Sequence, residues 1–112
     1  MINLFKNMFS FAEGLTDLNA ETFKSKMSEA EHHLIDVRST GEFNSGNIAG
    51  AKNISFPSAD FEKKVSKLDL GKPVFVYCRS GNRSKMAGKL LLEMGFKEVY
   101  NLSGGIMAWK NY

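Results

Sequence analysis

The apolar segment "PVFVYC", residues 73–78, limits the folds open to this chain more than any other part of the sequence. Its β-branched and aromatic residues stand side by side instead of alternating with polar ones, which is typical of a strand buried on both faces. Such strands lie in the middle of mainly parallel sheets, and these sheets carry helices on both sides. The segment therefore predicts an α/β fold in three layers.

Strand and helix patterns alternate along the rest of the chain, as such a fold requires. The short apolar run of Leu34, Ile35 and Val37 predicts a second buried strand, and "KEVYNL", residues 97–102, predicts the last strand. Asn19 is placed to be the N-cap of a first helix, and Ser39 with Glu42 has the spacing of a capping box that opens a second. We expect a ligand crevice beyond the carboxyl ends of the strands.

The remaining segments complete the alternation. Residues 46–55 predict a loop and a small strand, and Pro57 with Ser58 marks the start of a third helix that ends before Gly71. A fourth helix precedes Gly95, which stands at the C′ position. The apolar stripe of this fourth helix is predicted to consist of Met86, Ala87, Leu90, Leu91 and Met94.

A chain of 112 residues suits one domain with a single core. We predict that residues 15–112 form this domain and that residues 1–14 form an apolar N-terminal arm lying on it. The arm is too short for a membrane span and Lys6 interrupts it, so we predict no transmembrane segment. Leu4, Met8 and Phe11 are predicted to share one helical face of the arm, and the alternative to an arm lying on the domain is contact of this face with a partner or a membrane surface.

Charge and cysteine content exclude several classes of function. The net charge of +3 is spread along the chain without a long basic run, so we predict no nucleic-acid binding. The single cysteine, Cys78, cannot form an internal disulfide, and no His or Cys lies at a metal-ligand spacing from it. We therefore predict no metal site and no cofactor. A reduced thiol fits a cytoplasmic protein.

Cys78 lies in the loop "CRSGNRS", between the central strand and the fourth helix. The amides of residues 79–83 can form an anion-binding nest at the helix N-terminus, where Gly81 permits a tight curl and Arg79 and Arg83 add positive charge. These surroundings favour the nucleophilic thiolate. The residues alone leave catalysis and packing equally open, because a lone cysteine at a buried strand end is often a small hydrophobic residue.

The individual side chains of the loop also leave alternatives open. Arg79 either faces a ligand or only forms an ion pair, whereas Arg83 is better placed to orient the loop than to touch a ligand. Ser84 is expected either to cap the helix or to donate a hydrogen bond to the cysteine sulfur. Asn82 is expected to accept a positive φ.

Four segments make the chain resemble the rhodanese family from about residue 15 to residue 110: "LIDVRSTGEFNSGNIAGAKNI", "VFVYCRSGNRS", "KLLLEMGFKEVYNLSGG" and "GGIMAWK". The resemblance implies a rhodanese-like three-layer fold, with a five-stranded parallel sheet flanked by helices. It also implies a sulfurtransferase in which Cys78 takes up a sulfane sulfur as a persulfide. The substrate-binding residues then expected are Arg79, Ser80, Gly81, Asn82, Arg83 and Ser84.

Two residues at a neighbouring strand end are expected to support the site. Asp36 is predicted to hold backbone amides and Arg38 to pair with Glu42; the alternative is that the two residues touch substrate. Two departures from the family pattern lie nearby, since Asn47 stands where the family commonly has His and Ala49 where it commonly has Pro.

The expected partners are a small anionic sulfur donor such as thiosulfate and a thiol or cyanide acceptor. An alternative is a relay module that delivers persulfide sulfur to a specific partner protein. Cysteine phosphatases and arsenate reductases are less favoured. The phosphatases that resemble rhodaneses have a loop one residue longer, whereas only four residues separate Cys78 from Arg83 here.

Overall fold

A computed structural model describes residues 14–109 of the protein. Five parallel strands form one sheet, in the order β1-β5-β4-β2-β3. The strands are β1 (Leu15–Leu18), β2 (His33–Asp36), β3 (Lys52–Asn53), β4 (Val74–Tyr77) and β5 (Val99–Leu102). The rhodanese-like three-layer fold expected from the sequence is confirmed, with β4 at the centre of the sheet.

The helices connect these strands. They are α1 (Ala20–Met27), α2 (Thr40–Asn44), α3 (Phe61–Val65), α4 (Asn82–Glu93) and a final 3-10 helix (Gly105–Ala108). The predicted caps are present, because the Asn19 side chain accepts from the Thr22 amide and Ser39 forms a capping box with Glu42. Gly95 follows α4 with φ of +114°. Within the described range, no helix is long and apolar enough to cross a membrane.

Alternate residues of β4 point into two different cores. Phe75 and Tyr77 pack with Phe23 of α1 on one face of the sheet. Val74, Val76 and Cys78 pack on the other face, in the core to which α3 and α4 contribute Phe61, Val65, Ala87 and Leu91. Cys78 thus lies at the carboxyl end of the central strand, on the face of α4.

Strand β1 was not evident from the residue pattern. Its four residues, "LTDL", lie at the edge of the sheet beside β5, and none of them is fully buried. An edge strand exposed in this way lacks the apolar run by which the central strands are recognised. The expectation of five strands came from the family resemblance alone.

Two details of the helices differ from the predictions. Helix α3 begins at Phe61 rather than near Pro57, because the Ser58 hydroxyl bonds to Ser55 O and the Asp60 carboxylate instead of capping the helix. Met86 is 61% exposed, since the face of α4 that meets the sheet is centred on other residues. Those residues are Ser84, Ala87, Gly88 and Leu91.

The predicted N-terminal arm, residues 1–14, lies outside the described residues except for Gly14. Its proposed apolar face, Leu4, Met8 and Phe11, is therefore untested. The boundary at residue 15 stays a prediction.

Candidate active site

Cys78 is buried at the point where β4 gives way to α4, with 1% of its surface exposed. The chain turns there through Gly81, whose φ of +106° is a conformation that glycine adopts without strain. A Cβ atom on Gly81 would lie 3.2 Å from the Gly104 nitrogen, so the loop also approaches the backbone after β5 closely. The local sequence thus forces a compact loop around the sulfur.

Backbone amides of this loop point at the sulfur. The Gly81 N–H donates to Cys78 Sγ over 3.1 Å, and the Ser84 N–H donates over 3.4 Å. Amides in the first turn of a helix have no partner inside the helix, and the helix dipole makes them favourable neighbours for a negative charge. The Ser84 hydroxyl is a third group near the sulfur, at 3.3 Å.

Opposing effects act on the ionisation of Cys78. Burial raises the pKa of the thiol, whereas hydrogen bonds from the Ser84 side chain and from the amides of Ser84, Gly81 and Ser80 lower it. The hydrogen bonds outweigh burial, so the pKa lies below its ordinary value. A thiolate is the reactive form of cysteine, and these surroundings increase its share at neutral pH.

The two loop arginines occupy different surroundings. Arg79 is exposed at the start of the loop. Arg83 is half-buried and its Nη1 lies 3.3 Å from Glu42 Oε1, which ties the first turn of α4 to α2. The Ser39 amide, followed by smaller effects that include Arg83, lowers the pKa of Glu42 to about 2. Arg83 is thus held by an ion pair, whereas Arg79 is open to solvent.

Asp36 and Arg38 form a buried ion pair with each other. Arg38 Nη2 lies 2.6 Å from Asp36 Oδ2 and also donates to Gly46 O. The Arg38 amide donates to Asp36 Oδ1, as expected for a carboxylate that holds the backbone. The predicted pairing of Arg38 with Glu42 is wrong, because the Arg38 guanidinium is bonded to the Asp36 carboxylate two residues away. Glu42 is bonded to Arg83 instead. Hydrogen bonding to Asp36 raises the pKa of Arg38.

Asn82 does not have the predicted positive φ. It is the first residue of α4, and Gly81 before it takes the left-handed conformation. The structure divides the six predicted loop residues into two groups. Ser80, Gly81 and Ser84 supply hydrogen-bond donors to the Cys78 sulfur, whereas Arg79, Asn82 and Arg83 lie on the outer side of the loop or in the helix.

A polar network behind the loop was missed by sequence reasoning. Asn101 in β5 is 1% exposed, and its side chain contacts the Ser84 hydroxyl, Gly81 O and Asp17 Oδ1. Asp17 in turn pairs with Lys85 Nζ at 3.0 Å. A signal was present, because an asparagine inside the apolar strand "VYNL" must find buried hydrogen-bond partners.

The glycine pair after β5 also belongs to the site. The Ile106 amide donates to Cys78 O over 2.9 Å, and the Met107 amide donates to Arg79 O over 3.3 Å. A Cβ atom on Gly105 would collide with the Arg79 carbonyl and lie 2.6 Å from the Ser80 nitrogen. The sequence indicated only a turn here, whereas the structure uses the glycine for close backbone contact with the loop.

Three comparisons relate this arrangement to known proteins. The thiosulfate sulfurtransferase GlpE of Shewanella oneidensis is 35% identical over 85 residues, which cover 75% of this chain and 82% of that protein. The uncharacterized protein YqhL of Bacillus subtilis is 38% identical over 92 residues, covering 82% and 70%. The solution structure of the polysulfide-sulfur transferase homodimer from Wolinella succinogenes superposes with a TM-score of 0.68 at 31% identity, covering 96% and 82%.

The family comparison covers most of the chain. The family described as "Rhodanese-like domain" matches residues 19–112. This range includes the whole loop around Cys78 and every strand except β1. Together with the parallel five-stranded sheet and the relatives above, this match shows that the chain belongs to the rhodanese-like domain family.

Proposed function

We propose that the protein is a sulfurtransferase that moves a sulfane sulfur from thiosulfate or a related donor to a thiophilic acceptor through a persulfide on Cys78. The observation that carries the proposal is the convergence of backbone amides on the Cys78 sulfur at the carboxyl end of the central strand. Membership of the family and the names of the relatives in Shewanella and Wolinella support the same class of reaction.

In the first step, the Cys78 thiolate attacks the outer sulfur of thiosulfate. The new bond joins Cys78 Sγ to that sulfur, the sulfur–sulfur bond of thiosulfate breaks, and sulfite leaves with the electron pair. Amide donors such as those of Gly81 and Ser84 then stabilise the persulfide anion, as an oxyanion hole stabilises oxygen. Exposed Arg79 is the residue proposed to orient the anionic end of the donor.

In the second step, an acceptor such as cyanide or a thiol attacks the terminal sulfur of the persulfide. The sulfur–sulfur bond breaks, the electron pair returns to Cys78 as thiolate, and the sulfur leaves as thiocyanate or as a new persulfide. No general base is required once the cysteine is ionised. We infer a cytoplasmic setting, because the reaction needs a reduced thiol.

The size of the loop favours sulfur over phosphate as the transferred group. Four residues separate Cys78 from Arg83, and Arg83 is engaged by Glu42. A phosphoryl group would need a wider ring and an arginine that turns toward its oxygens. Phosphatase and arsenate reductase activities therefore rank below sulfur transfer.

The decisive test is mass spectrometry of the intact protein after incubation with thiosulfate, together with a thiosulfate:cyanide assay. We expect the mass to increase by one sulfur that a reductant removes, and we expect no increase in Cys78→Ser. Absence of the added sulfur, or its persistence in Cys78→Ser, would refute the mechanism. If sulfur is loaded but cyanide and small thiols turn over poorly while one partner protein accepts it, the relay alternative is supported instead.

A further inference from the structure

The Ser84 hydroxyl has three acceptors around it but only one proton to donate. Its oxygen lies 2.5 Å from Asn101 Oδ1, 3.3 Å from Gly81 O and 3.3 Å from Cys78 Sγ. Ser84 is fully buried and Asn101 is 1% exposed, so the choice is made among protein groups. Where this proton goes decides whether the hydroxyl assists the cysteine.

The orientation of the Asn101 amide settles which of its atoms faces Ser84. Asn101 Nδ2 lies 3.0 Å from Asp17 Oδ1 and 3.1 Å from Gly81 O, two oxygens that can only accept. Both N–H bonds of the amide are therefore used. Rotating the amide would bring its oxygen against these two acceptors, so the assignment follows from the hydrogen-bond network.

Asn101 Oδ1 must consequently receive the proton of Ser84. An amide oxygen carries no proton, and the short distance between Ser84 Oγ and Asn101 Oδ1 is that of a well-formed hydrogen bond. The Cys78 sulfur is farther away and is contacted by the amides of Gly81 and Ser84 in any case. While Cys78 is a neutral thiol, the hydroxyl therefore donates to Asn101, and its hydrogen bond to the sulfur belongs to the thiolate.

We propose that Asn101 is a positioning residue that competes with the Cys78 sulfur for the single hydroxyl proton of Ser84. The sulfur gains this third donor only when it carries enough negative charge to draw the proton away from the asparagine. Asn101 thereby sets how readily the thiol ionises. The importance of this for sulfur transfer rests on the proposed function, but the effect on the thiol itself does not.

Nearby charges stay in place when Asn101 is exchanged for an apolar residue. Asp17 loses one donor but keeps Lys85 at 3.0 Å. The charged groups nearest the loop are Arg79, the pair Asp36–Arg38, the pair Glu42–Arg83 and the pair Asp17–Lys85. Farther along the neighbouring helices stand Lys89 and Glu93 of α4 and Glu62, Lys63 and Lys64 of α3. The substitution Asn101→Leu removes none of these charges.

The test is the pH dependence of alkylation of Cys78 by iodoacetamide, which requires no sulfur transfer. Four proteins form a complete cycle: the wild type, Asn101→Leu, Ser84→Ala and the double variant. We expect Asn101→Leu to lower the midpoint of the alkylation profile by about 0.5–1 pH unit, the size expected of one hydrogen bond. We expect no such shift when Asn101→Leu is added to Ser84→Ala.

An unchanged or raised midpoint in Asn101→Leu would overturn the proposal. So would an equal downward shift in the Ser84→Ala background, since the effect would then bypass the hydroxyl. Circular dichroism shows whether each variant is folded, and Asn101→Ala replaces Asn101→Leu in the cycle if the larger side chain prevents folding. A protein that follows the expected alkylation pattern but never takes up sulfur from thiosulfate would refute the proposed function alone.

Discussion

Alanine at Gly105 is expected to force apart two backbone segments that meet at the active site. Gly105 has φ of +62°, and a Cβ atom there would collide with the Arg79 carbonyl and with the Ser80 nitrogen. Both obstacles are backbone atoms of the loop that surrounds the sulfur, so neither can swing aside as a flexible side chain would. The loop itself must move.

The cost has two parts. A left-handed backbone costs a residue with a Cβ about 1–2 kcal/mol, and overpacking of a close contact adds about 1–3 kcal/mol. The sum, about 2–5 kcal/mol, is a large share of the stability of about 5–15 kcal/mol typical of a protein domain. We therefore expect a folded protein with a clearly lower free energy of unfolding, in which the loop amides are displaced from the Cys78 sulfur.

Gly50→Ala is the matched control. Gly50 has φ of +90°, and a Cβ atom there would meet no atom within 4 Å beyond its immediate chain neighbours. This variant therefore has the backbone cost without the collision. Because its φ is farther from the left-handed minimum near +57°, any larger loss in Gly105→Ala comes from the contact with the loop.

Urea unfolding, followed by fluorescence of Trp109, measures the free energy of unfolding of both variants. Trp109 packs edge to face on Phe23 with ring centroids 5.9 Å apart, so its emission reports the core. The rate of Cys78 alkylation reports separately on the geometry of the loop around the sulfur. Equal losses of stability in Gly105→Ala and Gly50→Ala, or an unchanged alkylation rate in Gly105→Ala, would refute the role assigned to this contact.

Three further predictions concern single side chains. Tyr77→Phe leaves the buried Ile48 amide without its 3.0 Å partner, so urea unfolding should show a loss of about 1–3 kcal/mol; an unchanged free energy would contradict this. Because the pKa of Glu42 is lowered from 4.5 to about 2, its ionised form stabilises the fold above pH 4.5 and this contribution is lost as the pH falls toward 2. Unfolding measured across that range should show a smaller loss in Glu42→Gln than in the wild type, and parallel profiles would oppose this interpretation. Arg79→Ala should raise the KM for thiosulfate in the cyanide assay, while Lys72→Ala, before β4 at the opposite end of the strand, should not; equal KM values would remove Arg79 from donor binding.

Some contacts of the site were accessible to sequence reasoning because they are local. The Ser39–Glu42 capping box, the C′ glycine at residue 95 and the turn of the chain at Gly81 each depend on residues within a few positions of one another. The buried strand at residues 74–77 was also recognisable, since an uninterrupted apolar run has few other uses in a soluble domain. The position of Cys78 between this strand and a helix followed directly.

Other contacts join residues that are far apart in the chain, and no local pattern encodes them. Asn101 meets Ser84 across 17 positions and Asp17 across 84. Arg83 pairs with Glu42 across 41. These partners meet only because parallel strands bring their carboxyl ends to one edge of the sheet.

The sequence by itself determined the type of fold, the place of the cysteine and the amides available around it, because periodicity, caps and glycines act over short distances. Only the tertiary structure decided that β1 forms one edge of the sheet, that Met86 faces solvent and that Arg38 forms its ion pair with Asp36. It also decided that the Ser84 hydroxyl serves Asn101 before the sulfur, because a proton is shared among acceptors that folding alone brings together.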